Sequence, residues 1–542
     1  MVIRDFRISY FDMSATVLVC LLLFISIKFG GIWYDDVVFY KNILRSYDNQ
    51  IIFKDYLCHF FPIINYVYFP VIKIFNFEVS IFFFTFLVSF VFSYVISKDL
   101  YENFNIEFIK SFFLTLFFFI PFGVGTLNHD NLVLALSTIS ILIFFTNEKN
   151  YIYSSIIITL ALFIKFSVTL FILIPGLFSY MLYKILNKDW NNFKYVLYAF
   201  VISFLLSITL LYFYIYNSEL NLVEIKNYFF STSDLAKKRI NVSNFFFLNQ
   251  ITSIIQLNSI GVFFQLPIIL AFYFFLLFFI IQIFKKNFYK KNFLILFYLL
   301  AHWFLFNFSG RDWNHKSIFG FVLLFIFFQM YFDDINFVKK KLCKNFLIIL
   351  SILAYSLIPI NERYDLKKIP SDKLLESKLS EYFINFPQSS LYFSSERSKF
   401  YKKNNVINIG SQMNEIDKFI KKNSLIDSNF FFLDELSSIF SLQYKSAPCD
   451  LSCMNGDYYT PTKYSKNLEN YWTSKFLKVF KDKKGILILC KINENQYCSQ
   501  QIFIDQEGKF YVGPRNTFNT DLDFFIRERE VLYNTENFYI LR

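Results

Sequence analysis

Long apolar runs separated by short charged breaks occupy residues 1–361. Each run covers about 16–25 residues, the length of a helix that crosses a hydrocarbon layer ~30 Å thick. We predict about eleven such spans, near residues 14–32, 79–97, 111–127, 131–146, 151–167, 168–186, 195–216, 259–284, 292–308, 317–332 and 345–361. The apolar segment 60–77 contains Pro62, Pro70 and Lys73, so we expect a helix at the membrane interface.

The pattern changes at residue 362. Short apolar runs rich in strand-forming residues (390–393, 405–408, 430–433 and 485–489) are mixed with amphipathic stretches at 371–385 and 414–422. Strands mixed with helical periodicity predict an α/β or α+β domain over residues 362–542. Its roughly 180 residues are enough to bury a core of their own.

Composition agrees with a membrane location. The chain is 55% hydrophobic and 18% charged, and its mean hydropathy is +0.40. A soluble protein of 542 residues would carry far more charge. The fold class that we predict is therefore an α-helical polytopic membrane protein with a C-terminal soluble domain.

Basic residues predict the orientation. Several breaks between predicted spans fall on the side of Arg4 and Arg7, and they carry Lys98 and Lys110, Lys149, Lys184 and Lys188, Lys285-Lys286 with Lys290-Lys291, and Lys339-Lys340-Lys341 with Lys344. Positive residues favour the cytoplasm, which predicts a cytoplasmic N-terminus, an uncleaved first span in the inner (plasma) membrane and an extracytoplasmic C-terminal domain. The net charge of +12 is then mainly a topology signal, and nothing predicts nucleic-acid binding.

The predicted outer face gathers residues that could do chemistry. An acidic pair, Asp35 and Asp36, follows the first span in the external segment 33–77. Ionised groups beside a span are costly and hence functional candidates. The later residues predicted at this face are His59, His129, Asp130, Lys165, Arg311 and His315.

Sugar transfer from a lipid-linked phosphate needs such a set. A carboxylate base deprotonates the acceptor hydroxyl, and cations neutralise the charge that grows on the departing phosphate. A polyprenyl-phosphate sugar is already activated, so no nucleotide-binding domain is required. The predicted partners are membrane lipids, this donor and a lipid, glycan or protein acceptor.

Each candidate also has a structural interpretation. The acidic pair could form a solvated turn or a cap, and Asp130 could cap the fourth span. Lys165 could extend to the lipid headgroups, and Arg311 could anchor the interface. For His302, packing is the favoured interpretation.

Cysteines offer a further prediction for the C-terminal domain. Cys449, Cys453, Cys490 and Cys498 lie there, and an even number in an oxidising compartment favours one or two disulfides of undetermined pairing. Their spacing, with no histidine nearby in the sequence, matches a zinc site poorly.

Residues 14–330 resemble the GT-C class of membrane glycosyltransferases, specifically glycosyltransferase family 39 with the protein O-mannosyltransferases and the lipid A aminoarabinose transferase. The residues that carry the resemblance are Asp35 and Asp36 with Tyr40, Asp55-Tyr56, His59 with Pro62, Asp130, and the run 161–167 around Lys165. The chain departs from the family pattern at Asp36, where Glu is usual, and keeps one proline after His59.

The resemblance implies an inverting transfer outside the cytoplasm without a nucleotide. Asp35 would be the base, Asp36 would lie beside it, Asp130 would be the second acid and Lys165 the first cation. Tyr40, His59, His129, Arg311 and His315 would contact the donor or acceptor. Metal dependence varies in the class, so a divalent ion is left open.

Three rival functions stay open from sequence. A transporter or lipid flippase would show a hydropathy repeat and charges at the bilayer midplane, and no repeat is visible. An O-antigen-type polymerase would use arginines in a large external loop, for which 217–258 with Lys237-Lys238-Arg239 is a candidate. The third reading makes the C-terminal domain a tethered binding module.

Overall fold

The computed structural model describes part of the chain. The described residues are 43, 45, 49–51, 55, 63, 68, 70–71, 74, 77–108, 111–112, 115, 129–218, 259–308, 318–332, 383–386, 389–392, 409–432, 444, 478, 485–490, 502–504, 510–512, 529–535 and 538–542.

Most of the described residues are helical. The helices of the apolar part are α1 (Phe77–Phe104), α2 (His129–Asn147), α3 (Tyr151–Ile164), α4 (Phe166–Leu186), α5 (Phe193–Ser218), α6 (Ser259–Phe284), α7 (Lys290–Phe308) and α8 (Ile318–Phe332). Within the described ranges, three helical stretches are long and apolar enough to cross a membrane: Leu132–Ile164, Val168–Leu186 and Trp190–Ser218.

The first of these stretches is a hairpin of two helices. A 3₁₀ turn at Glu148–Asn150 separates α2 from α3, and the Ser154 hydroxyl donates to the Ser140 carbonyl at 3.1 Å. Residues on either side of the turn therefore face each other, so the chain reverses direction at Asn147. The lengths of α2 and α3 must therefore be compared with the membrane thickness separately, because the two helices are not one continuous rod.

Contacts between the other helices fix their directions. Helices α2 and α4 run parallel, because Ile141 meets Gly176 and Phe145 contacts Tyr180, with ring centroids 5.4 Å apart. Helix α3 runs parallel to α5, since Tyr151 stacks on Tyr195 at 5.5 Å and the Ser203 hydroxyl donates to the Ser155 carbonyl at 3.1 Å.

Helix α7 runs against α4 and α6. Tyr183 of α4 contacts Phe293 at 5.3 Å, and the Asn187 amide beyond α4 donates to the Phe288 carbonyl at 3.0 Å. Phe279 of α6 contacts Phe293 at 5.7 Å, while Phe272 meets His302 at 6.0 Å. The ends of α2, α4 and α6 thus lie together with the starts of α3, α5 and α7.

This common end carries many exposed cations, and we call it the lysine-rich end. Its lysines are Lys149, Lys188, Lys285, Lys286 and Lys291. They belong to the breaks that sequence analysis assigned to one side. We call the other end, where α2 and α4 begin and α7 finishes, the opposite end.

The observed helices match the predicted spans in the described ranges, with shifted boundaries. Helix α1 continues to Phe104 instead of residue 97, because the Asn103 amide donates to the Asp99 carbonyl at 3.3 Å and the Asp99 carboxylate at 2.9 Å and so supports a further turn. Helix α3 stops at Ile164 instead of 167. Predicted spans 14–32 and 345–361, most of 111–127 and most of the interfacial segment 60–77 lie outside the described residues.

Beyond residue 382 the described elements are strands and one helix, α9 (Ile409–Lys422). The strands are β1 (Phe383–Phe386), β2 (Ser389–Tyr392), β3 (Phe430–Phe432), β4 (Ile486–Cys490), β5 (Ile502–Ile504), β6 (Phe510–Val512), β7 (Val531–Asn534) and β8 (Phe538–Leu541). Strands β1 and β2 pair antiparallel, as do β5 and β6.

A mixed four-stranded sheet has the order β3-β4-β8-β7, with β3 parallel to β4 and the other pairs antiparallel. Strand β8 is buried throughout, and Ile416 and Ile420 of α9 are buried as well. Phe419 stacks on Tyr533 of β7 with centroids 4.5 Å apart. Helix α9 therefore contributes an apolar face to this core.

Sequence prediction was right for part of this region. The runs 390–393, 430–433 and 485–489 overlap β2, β3 and β4, and the stretch 414–422 lies in α9. The amphipathic prediction for 371–385 is wrong at its end, because residues 383–385 pair as strand β1 with β2. The run 405–408 and the predicted boundary at 362 lie outside the described residues.

Gly176 provides a test of the α2–α4 packing. A methyl group added there would lie 2.5 Å from Ile141 Cγ1, so we expect Gly176→Ala to lower the free energy of unfolding by about 1–3 kcal/mol. Combining it with Ile141→Ala should cost less than the sum of the single variants, because the clash is removed. Thermal unfolding in detergent measures both effects, and additive losses would contradict the close approach.

Candidate functional site

Most of the predicted site residues lie outside the described residues. They are Asp35, Asp36, Tyr40, His59, Arg311 and His315. The cysteines Cys449, Cys453 and Cys498 do so as well, while Cys490 ends β4. Their roles and the disulfides remain predictions from sequence.

The backbone of His129 and Asp130 forms the first turn of α2. A carboxylate in this turn is favoured by the positive end of the helix dipole. Because α2 finishes at the lysine-rich end, its first turn lies at the opposite end. The placement fits both the capping and the functional interpretation of Asp130.

Lys165 is the single residue between α3 and α4. Its backbone is extended, with φ −154° and ψ 100°, and its amide still donates to the Ala161 carbonyl at 3.0 Å. Its carbonyl accepts from the Thr169 amide at 3.2 Å and from the Thr169 hydroxyl at 2.9 Å. The last turn of α3 and the first turn of α4 are thus both hydrogen-bonded through this one half-buried residue.

The starts of α2 and α4 lie at the same end of the bundle. The Ser140–Ser154 contact places α2 and α3 level with each other. From there, Asp130 and Lys165 are each about ten residues away along their helices, a rise of ~15 Å in the same direction. Phe308, the last residue of α7, also lies at this end. The backbone positions of Asp130 and Lys165 therefore lie at the same end of the bundle.

Asp55, part of the resemblance, has a structural role. Its carboxylate accepts a hydrogen bond from the Ile51 amide at 2.7 Å, and its own amide donates to the Ile51 carbonyl at 2.8 Å. Such reciprocal bonds satisfy donors at the start of a turn. His302 is buried against Phe272, which agrees with the packing interpretation.

Sequence reasoning missed an ionic cluster at the lysine-rich end, where Lys184 was counted only as a topology signal. The Lys184 ammonium lies 3.1 Å from a Glu148 oxygen and 2.8 Å from an Asp189 oxygen, and its side chain is 8% exposed. The Asn192 amide also donates to Asp189 at 2.9 Å. The hydrogen bond from Lys184 holds the pKa of Asp189 below its ordinary value, with a smaller contribution from Asn192.

A second polar cluster joins α1 to α7. The Tyr298 hydroxyl donates to the Asp99 carboxylate at 2.6 Å, and the Asn103 amide donates to the other carboxylate oxygen at 2.9 Å. Asp99 is 3% exposed and Tyr298 is fully buried. Its only signal in the sequence was an acid beside Lys98 at the end of a predicted span.

Among the described residues, no group of three or more His, Cys, Asp or Glu is placed to hold a metal ion. The predicted acids that could serve as ligands, Asp35 and Asp36, lie outside those residues.

Comparisons with known proteins found no family model that matches this chain. No curated protein matches it either.

The ionic cluster yields a pH-dependent prediction. The lowered pKa of Asp189 means that its charged form is favoured by folding, so it stabilises the protein above its ordinary pKa near 3.8 and the effect disappears as pH falls through the lowered value. Asp189→Asn should reduce the melting temperature at pH 6, and the difference from wild type should shrink below about pH 4. Lys188→Met, at an exposed neighbour, is the control. A difference that grows in acid would contradict the assigned interaction.

Proposed function

We propose that this protein is a membrane glycosyltransferase that moves a sugar from a polyprenyl-phosphate donor to the hydroxyl of a lipid, glycan or protein acceptor. The observation that carries the proposal is the placement of Asp130 and Lys165 at one end of the bundle, away from the exposed lysines. A carboxylate and a cation near a membrane surface suit the chemistry of a lipid-linked phosphate, because the cation can stabilise charge on the departing phosphate.

The proposal includes an orientation. The lysine-rich end faces the cytoplasm, as the positive-inside rule favours, and the opposite end faces the extracytoplasmic water. About eleven spans then place the C-terminal domain, residues 362–542, outside. That compartment permits disulfides among Cys449, Cys453, Cys490 and Cys498.

The proposed reaction begins with deprotonation of the acceptor. Asp35 accepts the proton of the acceptor hydroxyl, which attacks the sugar carbon as the bond to the phosphate breaks. Asp36 and Asp130 orient the acceptor or sugar through hydrogen bonds. Tyr40, His59 and His129 contact the bound substrates, as the resemblance implies.

Cations then stabilise the leaving group. The departing polyprenyl phosphate gains negative charge in the transition state, so positive groups fixed beside it lower the barrier. Lys165, Arg311 and His315 have this role. Lys165 suits it because a lysine stem can lie along apolar helices while the ammonium reaches the polar boundary.

Substitution of the proposed base tests the reaction. We expect purified Asp35→Asn to lose transfer by about 10²–10⁴-fold, because general-base assistance contributes that much to a rate. The measurement is the release of free polyprenyl phosphate from a panel of polyprenyl-phosphate sugars. Asp427→Asn, at an exposed carboxylate after α9, is the matched control. Transfer by Asp35→Asn at the wild-type rate would exclude Asp35 as the base.

The proposed phosphate contact of Lys165 has its own test. Lys165→Met keeps the apolar stem and removes the charge, and we expect kcat/KM for the donor to fall about 10–100-fold, equivalent to the loss of one charged hydrogen bond. Lys149→Met removes an exposed lysine at the lysine-rich end and should leave kcat/KM unchanged. Equal losses in both variants would contradict a specific role for Lys165.

A further inference from the structure

The contact between Asp99 and Tyr298 has no assigned role in the proposed reaction. Both residues are almost fully buried, although a carboxylate that leaves water needs hydrogen bonds to offset its lost hydration. Tyr298 supplies one at 2.6 Å and Asn103 another at 2.9 Å. The charged groups that act on Asp99 from further away are Lys290, at the start of α7, and Glu102. The contact is thus a satisfied polar link between two helices.

The two linked helices connect to different parts of the proposed site. Helix α1 begins at Phe77, the last residue of the predicted external segment 33–77 in which Asp35, Asp36 and His59 occur. Helix α7 ends at Phe308, directly before the segment with Arg311 and His315. One helix therefore follows the predicted acids in the chain, and the other precedes the predicted cations.

We propose that Asp99 and Tyr298 are positioning residues that hold α1 and α7 in the relative placement that the proposed transfer needs. This inference rests on the proposed function. The link lies toward the lysine-rich end, so neither side chain is offered as a contact to substrate. Its effect would pass through the two helices to the segments at their other ends.

The lengths of the helices make such an effect large. Tyr298 is about ten residues from Phe308, a rise of ~15 Å, and Asp99 is about twenty-two residues from Phe77, a rise of ~33 Å. A tilt of about 5° at the link would move the start of α1 by ~3 Å over that length. Misplacement of reacting groups by about 1 Å can reduce a rate by about 10²-fold. A single hydrogen bond far from the reaction can therefore matter for kcat.

Four variants of the full-length protein test the proposal. Tyr298→Phe removes the donor, and Asp99→Leu removes the acceptor while it keeps the branched shape of the side chain, with larger methyl groups in place of the two oxygens. Asp99→Asn keeps an oxygen for the Tyr298 hydroxyl, while the Asn103 amide can rotate to accept from the new amide group. Tyr180→Phe is the matched control, because Tyr180 is equally buried and its hydroxyl has no hydrogen bond among the described residues.

The readout is kcat and KM for the release of polyprenyl phosphate, per folded molecule, at a temperature below the unfolding transition of every variant. We expect Tyr298→Phe and Asp99→Leu to lower kcat about 10–100-fold with KM changed less than about threefold. Asp99→Asn should stay within about threefold of wild type, and Tyr180→Phe should equal it. Hydrogen exchange of peptides 77–104 and 290–308 should rise only in the two damaging variants.

The outcomes separate this inference from the proposed function. Wild-type transfer with an unchanged kcat in folded Tyr298→Phe would overturn the positioning role and leave the proposed function standing. Loss of activity that follows only the unfolded fraction would show a purely structural link and also overturn it. If folded wild-type protein releases no polyprenyl phosphate from any donor, the proposed function and the positioning role fall together.

Discussion

The cost of leaving a polar group unpaired inside an apolar helical bundle governs where this chain places its charges. The buried Lys184 ammonium forms ion pairs with Glu148 and Asp189. The buried Asp99 carboxylate accepts hydrogen bonds from Tyr298 and Asn103. Among the described residues of the apolar helices, the exposed lysines gather at one end, where water can solvate them. The opposite end holds the backbone positions of Asp130 and Lys165, two residues of the proposed reaction.

The bundle was predictable because hydrophobic length is a simple signal. The spans predicted near 131–146, 195–216 and 259–284 correspond closely to α2, α5 and α6. Helix ends were harder to predict, since they depend on single contacts: the amide of Asn103 supports an added turn of α1, and the extended backbone of Lys165 ends α3 early. Periodicity carries no information on either contact.

The candidate site was predictable only in part, for a related physical reason. Counting spans was enough to place Asp130 and Lys165 at a common end, because every second connection between consecutive spans lies on the same side of the membrane. The Asp99–Tyr298 and Lys184–Glu148 links could not be found in this way. They join residues on different turns and helices, and partner choice across a bundle depends on packing that a single sequence does not display. The roles of Asp35 and Asp36 still depend on sequence and resemblance.

The proposed function requires Lys165 to lie on the extracytoplasmic side of the membrane, and cysteine labelling measures this directly. In a variant whose seven native cysteines are replaced, single cysteines are introduced as Lys165→Cys and Lys149→Cys and treated in intact cells with a membrane-impermeant maleimide. We expect labelling of Lys165→Cys in intact cells and of Lys149→Cys only after permeabilisation. The reverse pattern would place Lys165 in the cytoplasm and contradict an extracytoplasmic site.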